Sequence, residues 1–474
     1  MLPLFILLPF IGLLILNLPL GSIYRRAGSL AVITLSVAQI AAVLFLPADL
    51  MMQDAGVLKR LAPLLLADDL SQVFLLAIGL VVLATALAGK AMFPTVRERF
   101  FFVNFLLLSM AGMNATVLLT DLFSLYVFIE VIALSSFVLI AFRRDRIALE
   151  GSLKYLLLST VATVLMLSAV ALLLVATGST GFSEVRSALQ GASHTAMVRV
   201  AMGLFVCGLF IKGGLVPFHG WLPGAYTSAP APVSILLAGI VTKVSGIYAL
   251  IRLTAYVFPP SVPLNQTLLL VGALSIMVGA ISAIGQKDMK WLLSYSSISQ
   301  VGYILLGLGC GTTLGLAAAV FHLFNHATFK SLLFVNAAAV EQRVGTTDMS
   351  KLGGLGSRMP ITGTTSVIGL LSLAGIPPFA GFWSKLMIVI ALWQVGLYGF
   401  AVIAVGFSVV TLAYLLIMQR RVFFGKLPAE LGTVKEASFG LTLPAILLAA
   451  VTTVVGLAFP WLTQTFIFPH AGIF

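Results

Sequence analysis

The sequence predicts an all-α polytopic membrane protein of about 14 transmembrane helices, with two inverted five-helix repeats, each containing a broken helix. Three observations predict it. Hydrophobic residues make up 60% of the chain and charged residues only 9%, far from the balance of soluble domains. Mostly apolar stretches of roughly 20 residues, the length that spans a bilayer, recur from end to end with short connections. Two of these stretches are interrupted by proline and glycine beside a lysine, at Lys212 and at Lys385.

The predicted segments run over roughly 2–19, 28–47, 70–92, 100–119, 121–142, 153–177, 199–216 with a short broken extension to about 229, 233–257, 266–285, 290–309, 313–340, 361–393 (broken), 396–424 and 437–460. The first, Leu2 to Leu18, lacks a positive flank and a small-residue cleavage site, so it reads as a retained span rather than a signal peptide. No stretch fits a soluble domain. Cys207 and Cys310 lie far apart in apolar segments, which suggests neither a disulfide framework nor an iron–sulfur cluster. A net charge of +12 would point to nucleic acid in a soluble protein. In a membrane protein it reflects basic cytoplasmic loops, and no nucleic-acid partner is implied.

Loop charges predict the orientation. Basic residues follow alternate segments: Arg25 and Arg26; Lys90, Arg97 and Arg99; Arg143, Arg144 and Arg146; Lys287 and Lys290; Arg343, Lys351 and Arg358; Arg420, Arg421 and Lys426. The opposite loops hold only Lys59, Arg60, Arg186 and Arg252, with Arg199 at a helix start. The positive-inside rule puts the first set in the cytoplasm and both termini outside.

The seventh segment breaks at GGLVPFHGWLP, around Pro217, His219 and Pro223, beside Lys212. The twelfth breaks at GIPPFAGFWSK, around Pro377 and Pro378, beside Lys385. The two breaks are five segments apart. A repeat with an odd number of spans is inverted relative to its first copy, and paired broken helices in inverted repeats are a recurring transporter architecture. The expected organisation is 1–99 for the first three segments, 100–260 and 261–428 for the two repeats, and 429–474 for the last segment.

Ionisable residues inside the apolar segments are the functional candidates, because a charge there is costly. Glu130 is isolated in LFSLYVFIEVIALSSFVL, so it is either neutral or paired with a cation. Lys212 is the natural partner, either as a structural lock between helices or as a switch. In the switch, a buried ammonium that loses its counter-charge is driven to give up its proton. Lys154, near the start of its segment, either snorkels to the interface or joins the path. Lys243 is too deep to snorkel easily. In FHLFNHATFKSLLF, His322, His326 and Lys330 are spaced i, i+4, i+8 and share one helix face, drifting about 40° per step. The histidine pair matches metal-ligand spacing, but a lysine completes the row and no third ligand stands near. A titratable stripe for protons and a structural stripe are the other readings. SYSSISQVGYILLGL, with Ser294, Ser296, Ser297, Ser299 and Gln300, suits either a water-holding half-channel or close helix packing. Lys385 is either an exit point or a cap on carbonyls freed by the prolines. The sequence contains no phosphate-binding glycine loop, nucleotide motif or haem-attachment motif.

The run KGGLVPFHGWLPGAYTSAPAPVSILLAGIVTK, the acid Glu130, HLFNHATFKSLLF and GIPPFAGFWSK together closely resemble the antiporter-like subunits shared by respiratory complex I, energy-converting membrane hydrogenases and Mrp-type multisubunit cation/proton antiporters. The resemblance runs from Asp69 to the thirteenth segment. It implies 14 helices with two inverted five-helix units. It also implies a regulatory Glu130–Lys212 ion pair, Lys243 and the histidines as connectors of half-channels, Lys385 as the terminal protonatable residue, and Lys154 as a basic position of the sixth helix. The chain departs from the family at Gly224, where the usual motif carries an acid, and it ends soon after segment 14 without the lateral helix of the distal complex I subunit. Lysine at 385 sets it apart from the paralogue with glutamate there.

The expected function is a proton-translocating subunit of a complex I-like or hydrogenase-like assembly in the cytoplasmic membrane. No cofactor or metal is expected in this chain. Iron–sulfur, nickel–iron or quinone sites belong to partner subunits, alongside other membrane subunits and the lipid bilayer. The alternatives are the D-type subunit of an Mrp antiporter moving Na+ against protons, and a module energising small-anion uptake.

Overall fold

Apolar segments with no interior charge pattern wind as helices because lipid leaves every backbone group to be satisfied within the segment. The computed structural model of the chain describes residues 2–18, 22–46, 65–192 and 196–462. Lys59 and Arg60, and the side chains of Arg25 and Arg26, lie outside them. Among the described residues there is no β-strand, only isolated bridges such as Leu65 with Leu119.

In chain order the helices are α1 Leu2–Asn17, α2 Ser22–Phe45, α3 Asp69–Met92, α4 Val96–Leu118, α5 Leu122–Ile140, α6 Arg146–Thr177, α7 Phe182–Ala192, α8 Ala196–Gly213 and α9 Trp221–Ser228. They continue with α10 Ala231–Val257, α11 Val262–Ile284, α12 Met289–Gly309, α13 Thr313–Val344, α14 Pro360–Ala374, α15 Ala380–Gln394, α16 Tyr398–Gln419 and α17 Phe439–Leu457. Eleven helices among the described residues are long and apolar enough to cross a membrane. α13, the shorter α1 and the broken pair α14–α15 complete the set of about 14 predicted spans. The amphipathic α7 has no counterpart among the predicted segments; it lies in the connection between the sixth and seventh.

Local signals set the helix ends. Asp68, Asp121, Asp145 and Asp288 each accept a backbone N–H at the N-terminus of the helix that follows. Thr95 and Glu98 form a capping box on α4. Gly178 and Gly345 close α6 and α13 in the left-handed region. α10 departs from ideal winding: Leu237–Val241, Lys243–Tyr248 and Leu253–Val257 are π-helical, a form that appears mostly as short bulges at functional sites.

The chain divides into two units. The first comprises residues 1–214, 220–230 and 240–260, the second residues 215–219, 231–239 and 261–474. In the first, α6 packs on α5, α8 and α9. In the second, α12 lies between α11 and α13, and α13 also packs on α14, α15 and α17.

Three boundary readings are corrected. Arg252 is not a loop charge. It is buried at the end of α10, where its guanidinium grips Asp68 with two bonds, 2.5 and 2.8 Å, and also meets Ser71 and Tyr248. Lys290 is likewise not a loop charge but is buried in the first turn of α12, paired with Glu341 at 2.5 Å. α13 runs four residues beyond its predicted end, which brings Glu341 into the helix.

The Arg252–Asp68 pair yields a test. Arg252→Met leaves Asp68 without its counter-ion, and removing one partner of a buried pair costs about 3–5 kcal/mol. Thermal unfolding of the purified protein should show a lowered midpoint, partly restored by adding Asp68→Asn. An unchanged midpoint in the single variant contradicts the assignment.

Candidate functional site

Each unit gathers a set of buried ionisable groups around a break in a helix. In the first unit the break follows Gly213. Gly214 takes φ +67°, a conformation that glycine adopts without penalty. The Trp221 indole N–H donates to the Ile211 carbonyl at 3.0 Å, satisfying an acceptor near the end of α8. Pro223 sits in the first turn of α9, where the missing N–H does no harm. Pro217 and His219 lie in the intervening turn, which belongs to the second unit.

Lys212, on the last turn of α8, is 3% exposed. Its ammonium donates to Glu130 Oε1 on α5 and to Ser159 Oγ on α6, both at 2.7 Å. The predicted pair is therefore formed, with a hydroxyl partner that the sequence did not single out. Tyr155, one turn before Ser159, packs edge-on against Trp221 with ring centroids 4.9 Å apart. Lys243 is fully buried and opens the second π-helical stretch of α10. Two residues further on, Ser245 donates back to the Val241 carbonyl, and Gly246 backs directly onto Gly213, where a Cβ would stand 2.5 Å from the Gly213 Cα.

Lys154 does not join this group. It is exposed on α6 and pairs with Glu150 one turn earlier at 2.7 Å. Exposed i, i+4 pairs of this kind contribute little to stability.

In the second unit, His322, His326 and Lys330 are all fully buried on α13. The two imidazole rings stack with centroids 6.5 Å apart. His322 Nδ1 shares a hydrogen bond with Ser384 Oγ at 2.8 Å. Lys330 donates to the Leu293 carbonyl at 2.8 Å and to Ser296 Oγ, both on α12. Lys385, next to Ser384, donates to the Leu373 carbonyl at 2.9 Å and stands 4.6 Å from the centre of the Tyr303 ring, a cation–π contact. Tyr303 also faces His322, so the ring lies against two members of the set. Pro377 and Pro378 sit in the break before α15, and Asn325 ties α13 to it by donating to the Ala380 carbonyl. On α12, Ser299 Oγ and both polar atoms of Gln300 are buried without a hydrogen-bond partner among the described residues.

Chemically, the arrangement offers amines, imidazoles and one carboxylate, all able to hold or release a proton. Among the described residues no three His, Cys, Asp or Glu side chains cluster as metal ligands.

The family model described as "NADH:quinone oxidoreductase/Mrp antiporter, TM" matches residues 120–411. The chain is similar to the D-type subunit of the Na(+)/H(+) antiporter of Alkalihalophilus pseudofirmus, with 35% identity over 366 residues, covering 76% of this chain and 73% of that protein. It is also similar to the N-type subunit of the NADH-quinone oxidoreductase of Desulforudis audaxviator, with 37% identity over 337 residues, covering 70% and 67%. Among solved structures, a chain of the Mrp complex from Dietzia sp. DQ12-45-1b superposes with a TM-score of 0.86 at 26% identity, covering 97% of this chain and 95% of that one.

The second break is tight enough to test. A Cβ on Gly381 would stand 1.9 Å from the Ser372 carbonyl oxygen, whereas one on Gly406 would meet nothing within 4 Å. Overpacking of this kind costs roughly 1–3 kcal/mol or more. Gly381→Ala is expected to lower the thermal midpoint by several degrees, with Gly406→Ala, in the interior of α16, unchanged or slightly raised. Equal midpoints would show that the broken halves are not in backbone contact.

Proposed function

The chain belongs to the NADH:quinone oxidoreductase/Mrp antiporter transmembrane family, and from that premise we propose that it is a proton-translocating, antiporter-like subunit of a multisubunit membrane complex. The observation that carries the reading is the Lys212 ammonium, buried at the end of a broken helix and held by the single carboxylate of Glu130. A charge in that position is costly unless it is paired, and the pairing is lost if the helices part. Opening the pair favours the neutral amine and releases a proton. Closing it restores the ammonium.

The other buried groups extend the same chemistry. Lys243 serves the first unit. His322, His326, Lys330 and Lys385 serve the second, where Tyr303 lies against His322 and Lys385, Ser384 bonds His322 and Ser296 accepts from Lys330. Lys154, exposed and paired with Glu150, is assigned no step.

The complex includes other membrane subunits and resides in the cytoplasmic membrane, with the basic loops inside and both termini outside. In this reading the chain itself carries no redox centre. Electrons pass through iron–sulfur, nickel–iron or quinone sites of partner subunits, and conformational change reaches this subunit through its membrane neighbours. Similarity to a component of a quinone oxidoreductase supports the redox-driven form.

Two experiments test this. Lys212→Ala is expected to reduce coupled proton transport at least tenfold while the complex still assembles, and normal pumping by that variant would sink the proposal. A mild-detergent pull-down should bring redox subunits along. Recovery of small membrane subunits with no redox protein would instead make it a cation/proton antiporter.

A further inference from the structure

The ionisable row of α13 does not stop at Lys330. Glu341 lies 11 residues further on, close to three whole turns, so it occupies the same helix face about 16 Å along. Its carboxylate meets Lys290 Nζ at 2.5 Å, and Lys290 is only 4% exposed. Leu293, one turn along α12 from Lys290, gives its carbonyl to Lys330. One turn of α12 thus carries both contacts: Lys290 with Glu341, and Leu293 with Lys330.

The other carboxylates at this end are already committed. Asp288 caps α12 through the N–H groups of Lys290 and Trp291 and accepts from Thr347 at 2.6 Å. Asp348 caps the turn at Ser350, and Glu436 accepts from the Ile361 N–H and the Thr362 hydroxyl. Glu341 alone combines partial exposure, with 17% of its side chain accessible, with a place on the ionisable face. Past the Lys330 contact, on its side away from Glu341, α12 continues into Ser299 and Gln300, whose buried polar atoms have no protein partner among the described residues, so the polar row runs on inward from Lys330. Water satisfies such groups where the site is polar.

We propose that the Glu341–Lys290 pair is the aqueous port of the second unit's proton row. This rests on the reading that the chain translocates protons. A proton arriving from water turns the Glu341 carboxylate into the acid and frees Lys290. The acid passes the proton inward through water to the neutral amine of Lys330, which becomes the ammonium. The carboxylate re-forms and recaptures Lys290. In the reverse direction the same steps discharge a proton.

The test uses inverted membrane vesicles carrying the intact assembly, with a pH-sensitive dye and transport started by NADH or by a sodium pulse. Glu341→Gln is expected to slow transport at least tenfold, and Glu341→Asp to retain at least a third of the rate. The double variant Lys290→Gln with Glu341→Gln removes both charges without leaving either unpaired, and it is expected to stay as slow as Glu341→Gln. Wild-type rates in the double variant would reduce the pair to a structural lock and overturn the port. If Glu341→Gln does not assemble, the double variant alone carries this comparison. Lys212→Ala is run alongside. Normal transport in Glu341→Gln with loss in Lys212→Ala rejects the port and leaves the translocation reading standing. Normal transport in both rejects that reading and this inference with it.

Discussion

An ammonium inside a helix bundle has to be met by a polar atom that the helices themselves supply. The molecule meets this demand in two ways. Lys212 receives a carboxylate and a hydroxyl. Lys330 and Lys385 receive backbone carbonyls, helped by Ser296 and by the face of Tyr303. The two are unequal in strength. Breaking a buried ion pair costs about 3–5 kcal/mol, whereas a hydrogen bond to a charged group contributes about 1.5–3 kcal/mol. The charge on Lys212 is therefore tied to the position of another helix, α5. The charges on Lys330 and Lys385 are tied to backbone carbonyls of α12 and of the end of α14.

The broken helices and the lysines solve each other's problem. A helix end leaves carbonyls without intrahelical partners, and such ends are tolerated at membrane depth only where protein or water answers them. At the end of α14 the Leu373 carbonyl is answered by Lys385. Near the end of α8 the Ile211 carbonyl accepts from the Gly214 N–H and from the Trp221 indole, and Lys212 reaches across to Glu130 instead. The same kind of break thus yields a carbonyl-held cation in one unit and a carboxylate-held cation in the other.

Much of this was legible in the sequence. Uninterrupted apolar runs announce spans, proline beside glycine announces a break, and a lone acid among apolar residues requires a cation. That Glu130 needs a cation follows from charge, and Lys212, beside the break, is the natural candidate among the buried lysines. Less was legible where one residue type serves two roles. Arg252 and Lys290 stand at segment ends and look like loop charges, yet each is buried by a carboxylate that arrives from another helix. Glu341 stands just past a predicted helix end, because four residues of helix boundary decide whether it belongs to the bundle. Ser159 and Tyr303 carry no signal, since a serine or tyrosine in an apolar run reads as packing. The π winding of α10 has no sequence signature either: it depends on packing against neighbours that sequence does not reveal. Ser384, adjacent to Lys385, was the one missed partner within reach.

The π winding also bears on how the two lysines of the first unit are held. At Lys243 the helix is wider than an α-helix, and three residues later its backbone lies directly against Gly213, the neighbour of Lys212. Glycine on both sides leaves no side chain between the two helices to absorb a shift. Close-packed interfaces move between discrete arrangements rather than deforming smoothly. A displacement of α10 that carries Lys243 must therefore either move the end of α8, and with it the Lys212 ammonium, or open a gap at Gly246. Moving Lys212 lengthens or misaligns its 2.7 Å bonds to Glu130 and Ser159, and hydrogen bonds weaken as their geometry degrades. The glycine contact thus ties the end of α8 that carries Lys212 directly to the backbone of the helix that bears Lys243.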